Sequence, residues 1–306
     1  MQKSEFFSGL LAVMFLFDAF LESRLSDEYD KDAEPILAME EPEAHLHPSA
    51  IRSLAVLLQN LKGQKLISTH SGDLLAGIPL KSIRRLARED GEIKVYRVGD
   101  DTLSPEELDK VTYHIRAERG RLLFSRCWLL VEGQSEYRLV PEMARLAGLD
   151  LDTHGVCCFE YSQFGSPELI IRLADDLGIH WHLLADNDDE GKAYVKSAQA
   201  VLNGRARGKH ITCYPDDGDE LEHHLWRHGY EEIYVSALTP QREANVTAAD
   251  GDPDYINQVL KALGSRLKVR LSSAVVSAAA KAEKPMVPPA ILSAIQASVE
   301  LAERAK

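Results

Sequence analysis

An α/β protein with a central, mostly parallel sheet flanked by helices is what this sequence predicts, and three observations carry that reading. Short apolar runs of strand character recur along the chain, as in WLLVEGQSE (Trp128–Glu136) and LLADNDDEG (Leu183–Gly191). They show no polar alternation, as befits strands covered on both faces, and segments of helical length separate them. Each also stops abruptly in carboxylates: Glu132 and Glu136 after the first, Asp186 and Asp188 after the second. A strand that ends at a Gly-containing turn delivers its last side chains to the carboxyl edge of the sheet, where ligands of open α/β sheets bind.

The elements follow in order. Pro35–Glu41, PILAMEE, is an apolar strand ending in acids, and Lys65–Ser71, KLISTHS, is a strand ending in Thr-His-Ser. After Asp90-Gly91, Lys94–Val98 forms a late strand; Asp100–Glu107 is a polar loop opening a helix, and Tyr113–Gly120 a short connection. The central part predicts strand 127–131, helix 136–147, strand 155–160, helix 166–177, strand 181–185, helix 190–203 and strand 209–214. The remainder is Ala-rich and helical, punctuated by Pro285, Pro288 and Pro289. Asp250–Asp254, DGDPD, is a turn rather than a calcium loop, because the twelfth position holds Lys261 instead of a bidentate Glu.

Four acids converging on one sheet edge suit a hard divalent ion such as Mg²⁺, which takes carboxylate, water and phosphate oxygens. Two such ions can clamp the attacking and leaving oxygens of a phosphodiester. The plainer alternative makes DNDDEG a solvated turn and Ser135 or Glu136 a helix start. The order of strand with Glu-Gly, helix, strand, helix, then strand with Asp-x-Asp resembles the Toprim domain of topoisomerases, primases and certain nucleases. That resemblance implies metal ligands at Glu132, Glu136, Asp186 and Asp188.

The pair EEPEAHLHP (Glu40–Pro48) and STHS (Ser68–Ser71) resembles the back half of an ABC-type ATPase of the SMC and Rad50 kind. The resemblance makes Glu40 a Walker B acid, Glu41 the acid that orients water, and His70 a switch histidine; Ser8-Gly9 is a degraded match to the signature motif. An ordinary β-α-β unit with His45 and His47 lining a loop is the alternative. No phosphate-cradling loop accompanies these residues: Gly191-Lys192 and Gly208-Lys209 lack both the upstream Gly and the following hydroxyl. ATP is therefore expected only if a Walker A lobe is supplied, and the chain reads as a C-terminal piece of a longer protein or a truncated reading frame.

An ATPase back half followed by Toprim resembles the OLD (overcoming lysogenization defect) family of nucleases. The resemblance divides the chain into a partial ATPase domain (1–120), a Toprim core (121–236) and a helical C-terminal extension (237–306). It implies a Mg²⁺- or Mn²⁺-dependent DNA endonuclease, in DNA repair or phage defence, with DNA as partner and homo-oligomerisation through the ATPase domain. In DGDELEHHL (Asp217–Leu225) it matches Glu222 to a further carboxylate, against a solvated helix-start Glu. It also implies a Lys near the site, for which Lys284 is the preferred match and Lys281 the second; Glu132, Asp186, Asp188 and Lys284 are the candidate catalytic residues.

With 306 residues, 45% of them hydrophobic, the chain can bury more than one core. A net charge of −13 and a pI near 5.3 argue against a uniformly basic nucleic-acid binder but leave a nuclease open, since clustered metal-site acids contribute. Cys127, Cys157, Cys158 and Cys213 show no zinc spacing, so a reduced, cytoplasmic protein is expected. Phe6–Leu21 is apolar but shorter than the roughly 20 residues of a spanning helix and contains Asp18, so a buried helix is expected and no membrane association. Two other classes remain: a Toprim strand-transferase, for which no nucleophilic Tyr stands outside the core pattern of Tyr137, Tyr161 and Tyr214, and a non-catalytic or regulatory ATPase fragment.

Overall fold

The computed structural model describes residues 36–304 apart from 62, 90, 118–119, 253 and 283–285. The apolar segment at Phe6–Leu21, Ser8-Gly9 and Lys284 lie outside the described residues. The chain divides into two compact units, residues up to 85 with 97–124, and residues 86–96 with 125–306.

In the first unit, strands β1 (Ile36–Glu40) and β2 (Gln64–Ser68) pair in parallel with Glu40 opposite Ser68, joined by helix α1 (Pro48–Asn60). Pro48 pre-sets the first helical φ, and His47 caps the helix by accepting from Ser49 N–H. Ile51, Leu54, Ala55 and Leu58 recur at helical spacing and bury against Met39 and Ile67, one side chain from each strand. The strands β3 (Arg85–Glu89) and β4 (Glu92–Tyr96) form a separate two-stranded sheet, so the late strand expected at Lys94–Val98 begins and ends two residues earlier. Tyr113–Gly120, expected as a connection, is a helix as far as Ala117: α2 (Pro105–Ala117) buries Val111 and Ile115, one turn apart.

The second unit holds a four-stranded, wholly parallel sheet. Its strands are β5 (Cys127–Val131), β6 (Val156–Glu160), β7 (His180–Ala185) and β8 (Ile211–Cys213), in the spatial order β6-β5-β7-β8. Between them run α3 (Gln134–Leu146), α4 (Pro167–Asp176) and α5 (Asp189–Ala200). After β8 come the short α6 (Leu221–Leu225) and α7 (Glu231–Val235), then α8 (Tyr255–Leu263), α9 (Ser265–Lys281) and α10 (Pro289–Glu303). A helical turn at Arg207–His210 consumes the start of the expected last strand, with His210 Nδ1 at 2.8 Å from the Trp181 carbonyl oxygen.

Every residue of β5 is buried, which explains its unbroken apolar sequence. Cys127, Leu129 and Val131 join a core with Leu139, Val140 and Met143 of α3 and Ile291, Ala294 and Ile295 of α10. The alternate residues serve the other face, where Trp128 stacks on Phe159 with ring centroids 5.4 Å apart. The C-terminal helices are thus built into the sheet's own core: α10 lies along β5, β7 and β8, and α9 packs on α3. This placement brings a part of the chain 130 to 140 positions downstream of Glu132 to the sheet edge.

Candidate metal centre

Directly beyond the four strand ends stand Tyr161, Glu132, Asp186 and Tyr214, in the order of the strands β6, β5, β7 and β8. The chain turns away at once on both central strands. After β5, Gly133 caps α3, and a Cβ there would stand 3.3 Å from Glu136 Oε2, so glycine leaves the carboxylate room. After β7, Asp188 caps α5 by accepting from Gly191 N–H at 2.7 Å. A Cβ on Gly191 would overlap the carbonyl of Asp186, so DNDDEG needs its glycine for the turn to close.

Glu136 lies in the first turn of α3, which starts at Gln134, and its side chain is buried in the same stripe as Leu139, Val140 and Met143. A carboxylate there meets the favourable end of the helix dipole but loses its water. Glu222, on α6, is also buried; it accepts from Ser135 Oγ at 3.4 Å and so approaches Glu136 from the other side. Lys268, in the first turn of α9, reaches both Glu220 Oε2 at 2.7 Å and Glu222 Oε2 at 3.6 Å. Its side chain is only 17% exposed, so it is a committed cation rather than a solvated one.

The loop between Asp186 and Asp188 is held by its middle residue. Asn187 N–H donates to the Asp219 carbonyl at 2.7 Å, its carbonyl accepts from Gly218 N–H at 2.9 Å, and its side-chain amide donates to the Asp216 carbonyl at 3.0 Å. Arg227 fixes the other side of that clamp by pairing with Asp219, which is buried, and with Asp216 at 3.0 Å. The two acid-bearing loops therefore move as one.

Burial and mutual repulsion hold Glu132, Glu136 and Asp186 protonated beyond the normal carboxylate range. Glu132 is pushed up to about 7 by burial first, then by Asp188 and Glu190. Glu136 rises to about 8 by burial and by Glu222, and Asp186 rises by burial and then by Glu136 and Glu132. Asp186 Oδ1 is enclosed and has no hydrogen-bond partner. An all-oxygen set, an orphaned carboxylate oxygen and uncompensated like charges fit a hard divalent cation. Among the described residues no three carboxylate, imidazole or thiol groups already close around one point, as uncompensated like charges would stand.

Of the residues singled out in the sequence, Glu132 and Glu222 lie near enough to raise Glu136, and all three raise Asp186, without closing around one point, while Asp188 spends one oxygen on its helix cap. Lys281 is exposed at the end of α9, Lys284 lies outside the described residues, and Lys268 is a cation that reaches Glu220 and Glu222. The signal for Lys268 was present: the buried positions Ser272, Val275 and Ala279 of α9, extended back one turn, land on it. In the other unit, Glu40 ends β1, and Glu41 follows with φ +42° and lies 3.7 Å from His70 Nε2. All three of these side chains are exposed.

Two family models match the chain. "Overcoming lysogenization defect protein-like, TOPRIM domain" matches residues 123–188, and "Protein of unknown function (DUF2813)" matches residues 3–121. Among curated proteins the chain is 36% identical over 221 residues to "Uncharacterized protein YbjD" of Escherichia coli (strain K12), covering 72% of this chain and 40% of that protein. It is 26% identical over 186 residues to "Old nuclease" of Escherichia phage P2, covering 57% of this chain and 31% of that one. The chain thus spans well under half the length of these two relatives. Among solved structures, the C-terminal region of the Xanthomonas campestris pv. campestris OLD protein matches at TM-score 0.46 and 19% identity, over 60% of this chain and 97% of that one. The corresponding region of the Burkholderia pseudomallei OLD protein also matches at TM-score 0.46 and 19% identity, over 58% of this chain and 99% of that one.

Proposed function

The chain belongs to the OLD family by its Toprim domain, and from that premise we propose that it is a divalent-metal-dependent DNA endonuclease acting at the carboxyl edge of its parallel sheet. The observation that carries this reading is the gathering of Glu132, Glu136, Asp186 and Glu222 beside Lys268, from three separate stretches of chain. Glu132, Glu136, Asp186, Asp188 and Glu222 would hold Mg²⁺ or Mn²⁺. Such an ion supplies charge neutralisation for the phosphate and a water acidic enough to attack it.

The chain's own residues do the rest. Lys268 is a point cation held beside Glu222, and it can face charge that develops on phosphate oxygens. Glu220 and Glu222 hold its ammonium in place and keep it charged against the cost of burial. Asn187 and the Arg227 pairs keep Asp186 and Asp188 on one rigid turn, so the acids need not be ordered when substrate arrives. Asp188 keeps its second oxygen for an ion while the first caps α5.

A strand-transferase would need an accessible phenol. Tyr161 and Tyr214 beside the acids are 0% and 1% exposed, which suits neither to that role, and the part-exposed Tyr194 commits its hydroxyl to Glu190, so hydrolysis with water as nucleophile is the reading we adopt. Glu40, Glu41 and His70 we assign to an ATPase remnant that turns over ATP only when a Walker A lobe is supplied, and that unit is the proposed site of homo-oligomerisation. The four cysteines are free thiols, in keeping with a cytoplasmic setting. Among the described residues no helix is long and apolar enough to cross a membrane.

The test is cleavage of supercoiled plasmid by the purified chain with Mg²⁺ or Mn²⁺. Nicked and then linear product with free ends, abolished by EDTA with or without ATP, is the expected result. Label that remains on the polypeptide after denaturation, and disappears with one Tyr→Phe change, would overturn it in favour of strand transfer.

A further inference from the structure

The row of side chains just beyond the sheet has a symmetry that the metal centre alone does not require. Val131 pairs with Glu160, so the next residues, Glu132 and Tyr161, are register neighbours. Ala185 pairs with Cys213, so Asp186 and Tyr214 are neighbours in the same way. The backbone ladder runs on to reach them, with Tyr161 N–H donating to the Val131 carbonyl at 3.0 Å and Tyr214 N–H to the Ala185 carbonyl at 3.3 Å. Neighbouring strands lie about 4.8 Å apart, and residues in register on parallel strands point to the same side. Each acid on a central strand therefore has a tyrosine beside it on an outer strand.

Both rings are buried, at 0% and 1% exposure, yet both carry a hydroxyl where phenylalanine would pack as well. The Tyr161 hydroxyl donates to Glu132 Oε2 at 3.5 Å. The Tyr214 hydroxyl is enclosed without any hydrogen-bond partner, and so is Asp186 Oδ1. A buried donor and a buried acceptor left unmatched on register neighbours each cost stability. Such a cost persists at functional sites, where a group is kept for what it does when the site closes. Burial and the nearby acids hold both phenols in the neutral form, in which they donate and do not add to the negative charge.

We propose that Tyr161 and Tyr214 are paired positioning residues of a divalent-cation site, each phenol donating to one oxygen of the adjacent acid, Glu132 or Asp186, so that the other oxygen faces the ion. The inference rests on the metal-centre reading above. Hydrogen bonds from beyond the ligands orient them, and their loss weakens metal affinity by about 10–100-fold.

The test is calorimetric titration of the full chain with Mn²⁺, without DNA, for the wild type, Tyr161→Phe, Tyr214→Phe and, as a control, Tyr230→Phe. Tyr230 donates to the Met286 carbonyl at 2.6 Å, away from the acids. Either Phe change at the centre should weaken Mn²⁺ binding by about tenfold or more, and Tyr230→Phe should leave it unchanged. Plasmid nicking should then need more Mn²⁺ for half-maximal rate and recover at saturation. Tyr214→Phe removes only an unpartnered hydroxyl, so its melting temperature should stay level or rise while its affinity falls, a combination that a packing role would not give. Unchanged Mn²⁺ affinity in folded Tyr214→Phe overturns the inference and leaves the metal centre standing. A wild type that binds no Mn²⁺, or binds it equally after Glu132→Gln and Asp186→Asn, overturns the metal centre and the inference with it.

Discussion

Two strands of this protein end in the same way in sequence and differently in space. PILAMEE and WLLVEG both run from apolar residues into glutamate at the carboxyl edge of a parallel pair. Beyond β1, Glu40 and Glu41 stand exposed, and the Glu41 carboxylate lies 3.7 Å from His70 Nε2. Beyond β5, Glu132 and Glu136 are drawn under a roof made by α6 and α9, and burial raises them to about 7 and about 8. The motif places an acid at an edge, and elements far along the chain decide whether the edge becomes a low-dielectric site. The enclosed edge also carries the orphaned Asp186 Oδ1 and, at Glu222, the partly buried Lys268, whereas the buried acid beyond β1, Glu43, leaves one oxygen unmatched and accepts from the Thr69 hydroxyl with the other.

The largest expected effect follows from that contrast. Glu132→Gln or Asp186→Asn should lower metal-dependent plasmid nicking by at least about a hundredfold with the fold retained. Glu41→Gln should leave nicking within about twofold, because its edge holds no enclosed acid set. Equal losses in all three, read by nicking rate beside circular dichroism, would erase the distinction between the edges.

Next in size is the choice of lysine. Lys268→Met should lower the nicking rate at saturating Mn²⁺ by about a hundredfold, the scale for loss of one group that stabilises developing charge. Lys281→Met and Lys284→Met should retain near wild-type rates. A large loss at Lys284 with none at Lys268 would restore the assignment made from sequence.

The choice of lysine also marks what the sequence could and could not say. Strand 127–131 was legible to the residue, because a strand buried on both faces needs an unbroken apolar run, and Cys127–Val131 is one. The positions of Glu132 and Asp186 directly beyond their strands were legible for the same reason: polarity returns where the strand stops. Lys268 was marked only by helical spacing, one turn before Ser272, and because α9 also carries Arg266, Arg270 and Lys281, packing against α3 decides which cation turns inward. Tyr161 and Tyr214 were read as core residues, and they are; their hydroxyls matter through register, which one strand alone does not reveal. Nothing in the Asp-x-Asp spacing marks Asn187, because its partners, Asp216, Gly218 and Asp219, lie in the loop after β8.

A smaller effect separates the edges by pH. Glu132 and Glu136 have folded-state pKa values above their unfolded ones, so the folded chain holds extra protons in the interval between. Their contribution to stability is complete below about 4.5 and is lost as pH rises through about 7 and about 8. The melting temperature of the metal-free chain should therefore fall between pH 5.5 and 8.5. Mg²⁺ or Mn²⁺ should raise it more at the alkaline end, where the acids are ionised and repel one another. Glu136→Gln should flatten the pH slope, whereas Glu41→Gln should leave it as it is. A slope unchanged by Glu136→Gln would place the acid-dependent stability elsewhere.

The finest test concerns the clamp that joins the two acid loops. Asn187→Ala removes the amide that donates to the Asp216 carbonyl at 3.0 Å but keeps both backbone bonds, to Asp219 and from Gly218. With two of three ties intact, the loss of stability should be about 1 kcal/mol, the net worth of one hydrogen bond. Asn187→Asp is the sharper change, because it replaces the donor by an acceptor facing a carbonyl and adds a charge between Asp186 and Asp188. It should cost more stability than the alanine, and added Mn²⁺ should recover part of that loss, since only the aspartate brings a charge that an ion can offset. Thermal melts of both variants with and without Mn²⁺ read this directly. Equal melting temperatures for the two, with no differential rescue, would mean that Asn187 holds the loop without sensing the charge of the acids on either side.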